Sequence, residues 1–304
     1  MDPEPRVDVA LSAADRRAYV ACMAAARVLV VSDSHLSPRT PEAHRHWDAL
    51  VDVVAADPPD LVVHAGDIST DGALRPGDLA DARAAVERVA VPVAVLPGNH
   101  DVGDGAGWSN GETEAVVSAD TLARYRSVFG ADRFASVVGA WQVIGLDAQL
   151  LGSGDPAEDE QWAWLAAVVD DVPHRAPVAL VLHKPLVPPA GEADSPHRYV
   201  PAPERGRLLS LLEGLDLRLV VSGHIHQALE HERDGLRHVW APSSWGVLPE
   251  RLQRSIGAKR VGAVLLTLHD DGADVAQVRL PGVEDVVIGT DVASPYPEPD
   301  GPLG

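Results

Sequence analysis

Short apolar runs that do not alternate with polar residues recur along the chain, each ending in a polar loop. Residues 27–31 lead into Ser-Asp-Ser-His, 61–64 into Ala-Gly-Asp, 93–96 into Pro-Gly-Asn-His-Asp, 178–182 into His-Lys-Pro and 217–221 into Ser-Gly-His-Ile-His. Such continuous runs predict strands covered on both faces. Between them the spacing predicts helices over 41–56, 76–89 and 158–169. Pro41 suits a first-turn position; Leu79, Ala82, Val86 and Val89 share one side, as do Trp162, Leu165, Ala166 and Val169. Strand, helix, strand in succession implies a partly parallel α/β sheet. After His226 the helical pattern stops, and Gly-punctuated runs at 228–231, 236–240, 263–269 and 275–280 predict a tail of strands forming a second, mixed sheet packed on the first.

A chain of 304 residues can be served by one core. The expected division is an N-terminal extension over 1–26, a single domain over 27–293, and a mobile Pro-rich tail over 294–304. Arg16-Arg17 and the apolar stretch 18–26 suggest an export signal, but four acids among the first fifteen residues oppose it. Met23 offers an alternative start, and a cytoplasmic location is expected. Acidic residues number 45 against 25 basic, a net charge of -20, which excludes a polyanion binder that relies on a broadly basic surface; no nucleic-acid polymer is expected as partner. Cys22 is the only cysteine, so neither an internal disulfide nor a thiolate cluster can form. No uncharged apolar run is long enough to span a bilayer, and no membrane partner is expected.

Candidate chemistry lies in the strand-end loops, where ligands gather in open α/β sheets. The loops supply Asp33 and His35; Asp67; Asn99, His100 and Asp101; His183; and His224 with His226. Four imidazoles, two carboxylates and one carboxamide suit Mn, Fe or Zn better than Ca or Mg. They are too many for one ion. Two divalent ions about 3.5–4 Å apart, bridged by a shared carboxylate and a water, would use them all in a hydrolytic site. His100 is not needed as a ligand, and its place beside Asn99 aims it at a leaving oxygen as a proton donor. Asp101 is expected to orient or electrostatically support the site.

With these residues in the order D-x-H, G-D, G-N-H-D, H and G-H-x-H over 33–226, the sequence resembles the calcineurin-like metallophosphoesterase superfamily, and its bacterial class III cyclic-nucleotide phosphodiesterase branch. The resemblance implies two mixed β-sheets packed face to face with helices outside. It implies one ion held by Asp33, His35, Asp67 and His226 and a second by Asp67, Asn99, His183 and His224, with Asp67 bridging and a hydroxide attacking phosphorus. The implied activity is a phosphodiesterase acting on a small phosphoester such as a cyclic nucleotide. The alternatives are a broad phosphomonoesterase or protein phosphatase, a scaffold that has lost catalysis, or a DNA nuclease. A homodimer is compatible with the sequence.

Two positions depart from the pattern. Many relatives have an acid three positions after the bridging Asp; here Thr70 stands there and Asp71 follows. Lys184 replaces a second histidine after His183, and is expected either at a substrate phosphate or in solvent. Asn99 and Trp245 are further candidate substrate contacts, with Trp245 and Trp108 weighed as stacking partners or loop anchors. The segment 192–203 reads as a lid or as a plain surface loop. His44 and His46 are expected on a solvated helix face, and His64, His231, His238 and His269 as structural residues.

Overall fold

A computed structural model of the chain describes residues 25–105 and 115–296. The first sheet contains β1 (Ala26–Val31), β2 (Leu61–His64) and β3 (Val93–Val95), all parallel, with β10 (Ala263–Leu268) and β11 (Ala273–Val278) added antiparallel on the β1 side, in the order β11-β10-β1-β2-β3. The second contains β4 (Phe134–Val138), β5 (Trp141–Leu146), β6 (Pro177–Leu182), β7 (Asp216–Ser222), β8 (Leu229–Arg233) and β9 (Leu236–Trp240), in the order β4-β5-β6-β7-β9-β8. Its four inner strands β5, β6, β7 and β9 are parallel, and the two edge strands antiparallel.

The non-alternating runs find their reason in burial on both faces. In β1, Val28 and Val30 point into the layer between the sheets while Leu29 and Val31 point out beneath helices. In β6, Ala179 and Val181 point in, and Val178 and Leu180 point out. Three layers of apolar packing result. The middle one joins Val63, Leu96, Val143, Val221, Val264 and Leu266 across the sheets. The outer layer on the first sheet takes Trp47, Leu50 and Val54 of α1 (Pro41–Ala56), Leu79 and Ala82 of α2 (Pro76–Val86), and Leu122 and Tyr125 of α4 (Ala119–Phe129). The other takes Trp162 and Leu165 of α5 (Pro156–Asp171) and Leu208 of α6 (Ala202–Leu211). Between β3 and α4 lies the one-turn helix α3 (Asn99–Val102). The helices begin where the sequence marks them: proline occupies the first turn of α1, α2 and α5, and Asp155 caps α5 by accepting from the Ala157 amide at 2.9 Å.

The two facing mixed sheets with outer helices agree with the expected fold class. The composition of the sheets does not. The last two strands do not belong to the second sheet: β10 pairs with β1 and extends the first, while the second is built around the mid-chain strands β5, β6 and β7. A strand's apolar pattern records burial, not its partner, so register across more than two hundred residues (Ala26 opposite Leu268) leaves no local mark. At the start of the stretch read as a tail, Tyr296 packs against the first outer layer. Residues 1–24, and with them the readings on export and Met23, lie outside the described residues, as does Trp108. Among the described residues no helix is long and apolar enough to cross a membrane.

Candidate metal centre

β1, β2 and β3 run parallel in one sheet and β6 and β7 in the other, so five strand ends open on one rim. The loops after β1 and β2 continue as a ladder: the Asp33 amide donates to the Gly66 carbonyl at 3.0 Å and the His35 amide to the Asp67 carbonyl at 3.0 Å. At Gly66, with φ +99°, a Cβ would lie 2.5 Å from His183 Nδ1; at Gly98 it would lie 2.2 Å from Asp67 Oδ1. Neither loop tolerates a side chain there. Seven non-glycine residues among those described have positive φ, and five of them are Asp33, His35, Asp67, His224 and His226. Each such residue costs about 1–3 kcal/mol and persists only where its surroundings over-determine it.

The expected ligands converge in two groups. Asp33, His35 and His226 form one, with His35 Nε2 3.2 Å from His226 Nε2 and His226 Nε2 3.4 Å from Asp33 Oδ1. Asp67, His183 and His224 form the other, with His183 Nε2 3.2 Å from both Asp67 Oδ2 and Asn99 Oδ1. Asp67 Oδ2 faces both groups, since it is also 3.8 Å from His35 Nε2. Its other oxygen accepts the His100 amide at 2.9 Å.

Each imidazole is held from behind by an oxygen. His183 Nδ1 donates to the Ala65 carbonyl at 2.8 Å, His226 Nδ1 to the Gly246 carbonyl at 2.8 Å and His224 Nε2 to the His197 carbonyl at 2.9 Å. The Tyr296 hydroxyl donates to the Thr70 carbonyl at 2.9 Å, so it accepts from His35 Nδ1 at 2.6 Å. A carbonyl cannot donate, so the outer nitrogen carries a proton and, in the neutral ring, the inner one is left with a lone pair. Buried Asp33 Oδ1 accepts no hydrogen bond among the described residues. Converging lone pairs and carboxylate oxygens with their outer sides tied are what a divalent ion requires.

Charge supports the same reading. Burial opposes ionisation of Asp67 and Asp33, but His183 for the first and His226 for the second outweigh it and hold both carboxyls below their ordinary range. Burial also opposes charge on His183, yet Asp67 raises its pKa to about 9; His226 is raised likewise by Asp33. His35 and His224 are pushed well down, by burial first and then by His100 and His183 respectively. Without metal, a proton therefore occupies the inner face of His183 at neutral pH, and Asp33 favours one on the inner face of His226.

Two expected substrate contacts have other roles, while Asp101 orients the site from behind the ligand loops. Lys184 reaches neither substrate nor solvent: it is fully enclosed, with its ammonium 2.5 Å from buried Asp104 and donating to the Pro196 carbonyl at 2.9 Å. Trp245 is not a stacking platform but core, its ring centroid 5.3 Å from that of His35. Asp101 does not reach a reacting group. It is buried and accepts from the amides of Ile68, Ser69 and Gly98 at 3.0, 2.9 and 2.9 Å and from the Ser69 hydroxyl at 2.6 Å, stapling two ligand loops together. Burial and the Asp67 charge raise its pKa to about 6. Asn99 stands with the ligands, and His100 is half-buried at the rim with its ring 4.9 Å from His35.

The structure also places the neighbours of the site. Asp71 is held by Arg75 at 3.1 Å. His44 pairs with Asp81 at 2.7 Å, and His46 is buried, donating to the Trp245 carbonyl at 2.8 Å, so neither is simply solvated. The 192–203 segment reaches the centre through His197. Sequence reasoning missed Tyr296 and the three carbonyls; backbone acceptors have no residue-type signal, and Tyr296 sits in a Pro-rich stretch that reads as a free end.

A rim of buried imidazoles and carboxylates on this four-layer fold defines a metal-dependent hydrolase. Residues 26–228 match the calcineurin-like phosphoesterase family, and the chain belongs to it. It is accordingly a phosphoester hydrolase. It is 28% identical over 285 residues, 88% of this chain and 94% of the relative, to the 3′,5′-cyclic adenosine monophosphate phosphodiesterase CpdA of Pseudomonas aeruginosa. Its identity to the protein of that name from Escherichia coli K12 is 27% over 270 residues, 83% and 88% of the two chains. Among solved structures it is similar in fold to a dimetal phosphatase from Danio rerio, with a TM-score of 0.57 and 18% identity, covering 86% of this chain and 98% of that one.

Two outcomes follow. Because the inner proton of His183 must leave, divalent-ion binding at pH 7 should release protons, and affinity should rise with pH up to about 9, where His183 deprotonates unaided. Calorimetric titration with Mn in buffers of different ionisation enthalpy measures this; heats independent of buffer would contradict it. Lys184→Met should lose about 3–5 kcal/mol in urea unfolding by leaving Asp104 buried without its cation, and Lys184→Met with Asp104→Leu should regain most of that loss.

Proposed function

We propose that the chain is a dinuclear phosphodiesterase acting on small phosphodiesters, with a cyclic nucleotide as the favoured substrate class. The observation that carries the dinuclear reading is Asp67 Oδ2, which faces inner nitrogens of both groups, at 3.2 Å and 3.8 Å. The substrate class is supported by the two relatives named as cyclic AMP phosphodiesterases, each matched over more than four-fifths of both chains.

Bound there, two divalent ions such as Mn, Fe or Zn would supply the Lewis acidity that offsets phosphate charge and makes water nucleophilic at neutral pH. Asp33, His35, Asp67 and His226 would hold one, and Asp67, Asn99, His183 and His224 the other. The protein's own part is position. Asp67 Oδ1 is occupied by the His100 amide, which fixes the carboxylate with Oδ2 inward and sets His100 beside it. From the rim, the half-buried His100 side chain can donate a proton to the oxygen that departs as the P–O bond breaks. Asp101 keeps the His100 turn in register with the Asp67 loop through Gly98 and Ser69.

With Mn supplied, the enzyme should turn over bis(p-nitrophenyl) phosphate faster than p-nitrophenyl phosphate and should open 3′,5′-cyclic AMP. The reverse ranking would favour a phosphomonoesterase, and inactivity toward all three with metal bound would defeat the proposal. His100→Asn should lower kcat by about 10²–10⁴-fold while retaining the full complement of metal. Loss of metal in that variant would make His100 a ligand, since its ring also lies within reach of His35 and Asp67.

A further inference from the structure

Three of the four outer acceptors behind the imidazoles are backbone carbonyls. The fourth is a side chain, the Tyr296 phenol, and it comes from outside the 26–228 stretch matched to the family. Its bonding closes a ring. His35 Nδ1 donates to Tyr296, whose hydroxyl donates to the Thr70 carbonyl at 2.9 Å, and the Thr70 hydroxyl returns to the His35 carbonyl at 2.5 Å. His35, with φ +44°, is the residue this ring holds at both ends. The Tyr296 ring also lies 4.8 Å from that of His100, tilted at 41°. The segment is pinned as well: Arg39 donates to the Pro295 carbonyl at 3.4 Å, and the Tyr296 amide donates to the Ser294 hydroxyl at 3.2 Å.

We propose that Tyr296 is a positioning residue of the active centre, through which the C-terminal segment fixes His35 for metal binding by its hydroxyl and flanks His100 with its ring. The proposal rests on the metal-centre reading above. The hydroxyl keeps the His35 proton on Nδ1 and so presents the Nε2 lone pair inward. Without it, Nδ1 has no acceptor, the ring can turn or carry its proton on the other nitrogen, and a strained backbone loses one of its constraints. Removing such a partner typically costs about 10- to 100-fold in metal affinity or activity. The ring makes a separate contribution, since it limits where the His100 imidazole can swing.

The two contributions separate in two variants of the full chain. Tyr296→Phe keeps the ring and removes the hydroxyl; Tyr296→Ala removes both. Titration with Mn alone, following the electron paramagnetic resonance signal of free ion, should show one binding step weakened about 10- to 100-fold in both variants. At saturating Mn, Tyr296→Phe should recover near wild-type kcat. Tyr296→Ala should not, and its deficit should be larger on an ester with an alkoxide leaving group than on a p-nitrophenyl ester, whose departure needs little protonation. Unchanged Mn affinity in Tyr296→Phe would overturn the hydroxyl's role, and full kcat recovery in Tyr296→Ala that of the ring. If the wild-type chain itself binds no Mn, Fe or Zn, the metal-centre reading fails and this proposal with it; metal binding by wild type with indifferent variants defeats the proposal alone.

Discussion

Lone pairs meeting in a buried space are the constraint on which this structure depends. His35 Nε2 and His226 Nε2 stand 3.2 Å apart, with the oxygens of Asp33 and Asp67 beside them and water largely excluded. Nothing in the protein offsets that repulsion from within except protons on some of the imidazoles, and a proton satisfies one pair at a time. Everything around the rim works to keep the arrangement in place: the outer nitrogens are tied to fixed oxygens, Asp101 staples the Gly98 and Ser69 loops, and five backbone positions are held in the left-handed region. Strain concentrated on the candidate ligands, and nearly absent from the other described non-glycine residues, is intelligible where a bound cation repays it.

Two sheets are needed to build such a site. One parallel sheet ends in a row of loops spaced along a line, whereas two facing sheets bring loops from opposite sides. The contacts across the gap are direct: the Ala65 carbonyl of the first sheet receives His183 of the second, and the His224 amide reaches Asp33 Oδ2 at 3.0 Å. The central apolar layer of Val28, Val30, Val63, Val181 and Val221 fixes that gap. The spacing of the candidate ligands is therefore set by packing between the sheets as much as by the loops that carry them.

Much of this was legible in the sequence because the information is local. A strand buried on both faces is a continuous apolar run, and the polar residues after it mark its end, so β1, β2, β6 and β7 and the seven converging candidate ligands could be read one loop at a time. What could not be read depends on distant partners. The pairing of β10 with β1, the burial of Lys184 against Asp104, and the placement of Trp245 behind His35 are set by residues far away in the chain. Lys184 shows the difficulty most clearly. A lysine next to a metal-binding histidine suggests phosphate contact, yet neighbouring residues in an extended chain point to opposite sides, and here the opposite side holds a carboxylate. Tyr296 was hidden for a related reason: proline-rich composition argues against regular structure but says nothing about whether one aromatic finds a docking site.

The acidic balance takes on a narrower meaning against this geometry. Of the 45 acids only Asp33 and Asp67 stand among the candidate ligands, so most of the charge of -20 lies elsewhere. At physiological ionic strength an exposed charge is felt over about 8 Å. A substrate small enough to sit within the rim meets mainly the local field there, which divalent ions would make positive. A polyanion would have to lay many more phosphates across surface of its own sign, where each added contact repels. The same asymmetry bears on small anions: with Lys184 sealed against Asp104, its ammonium is not open to a phosphate, and two bound divalent ions would be a local source of positive charge at the rim.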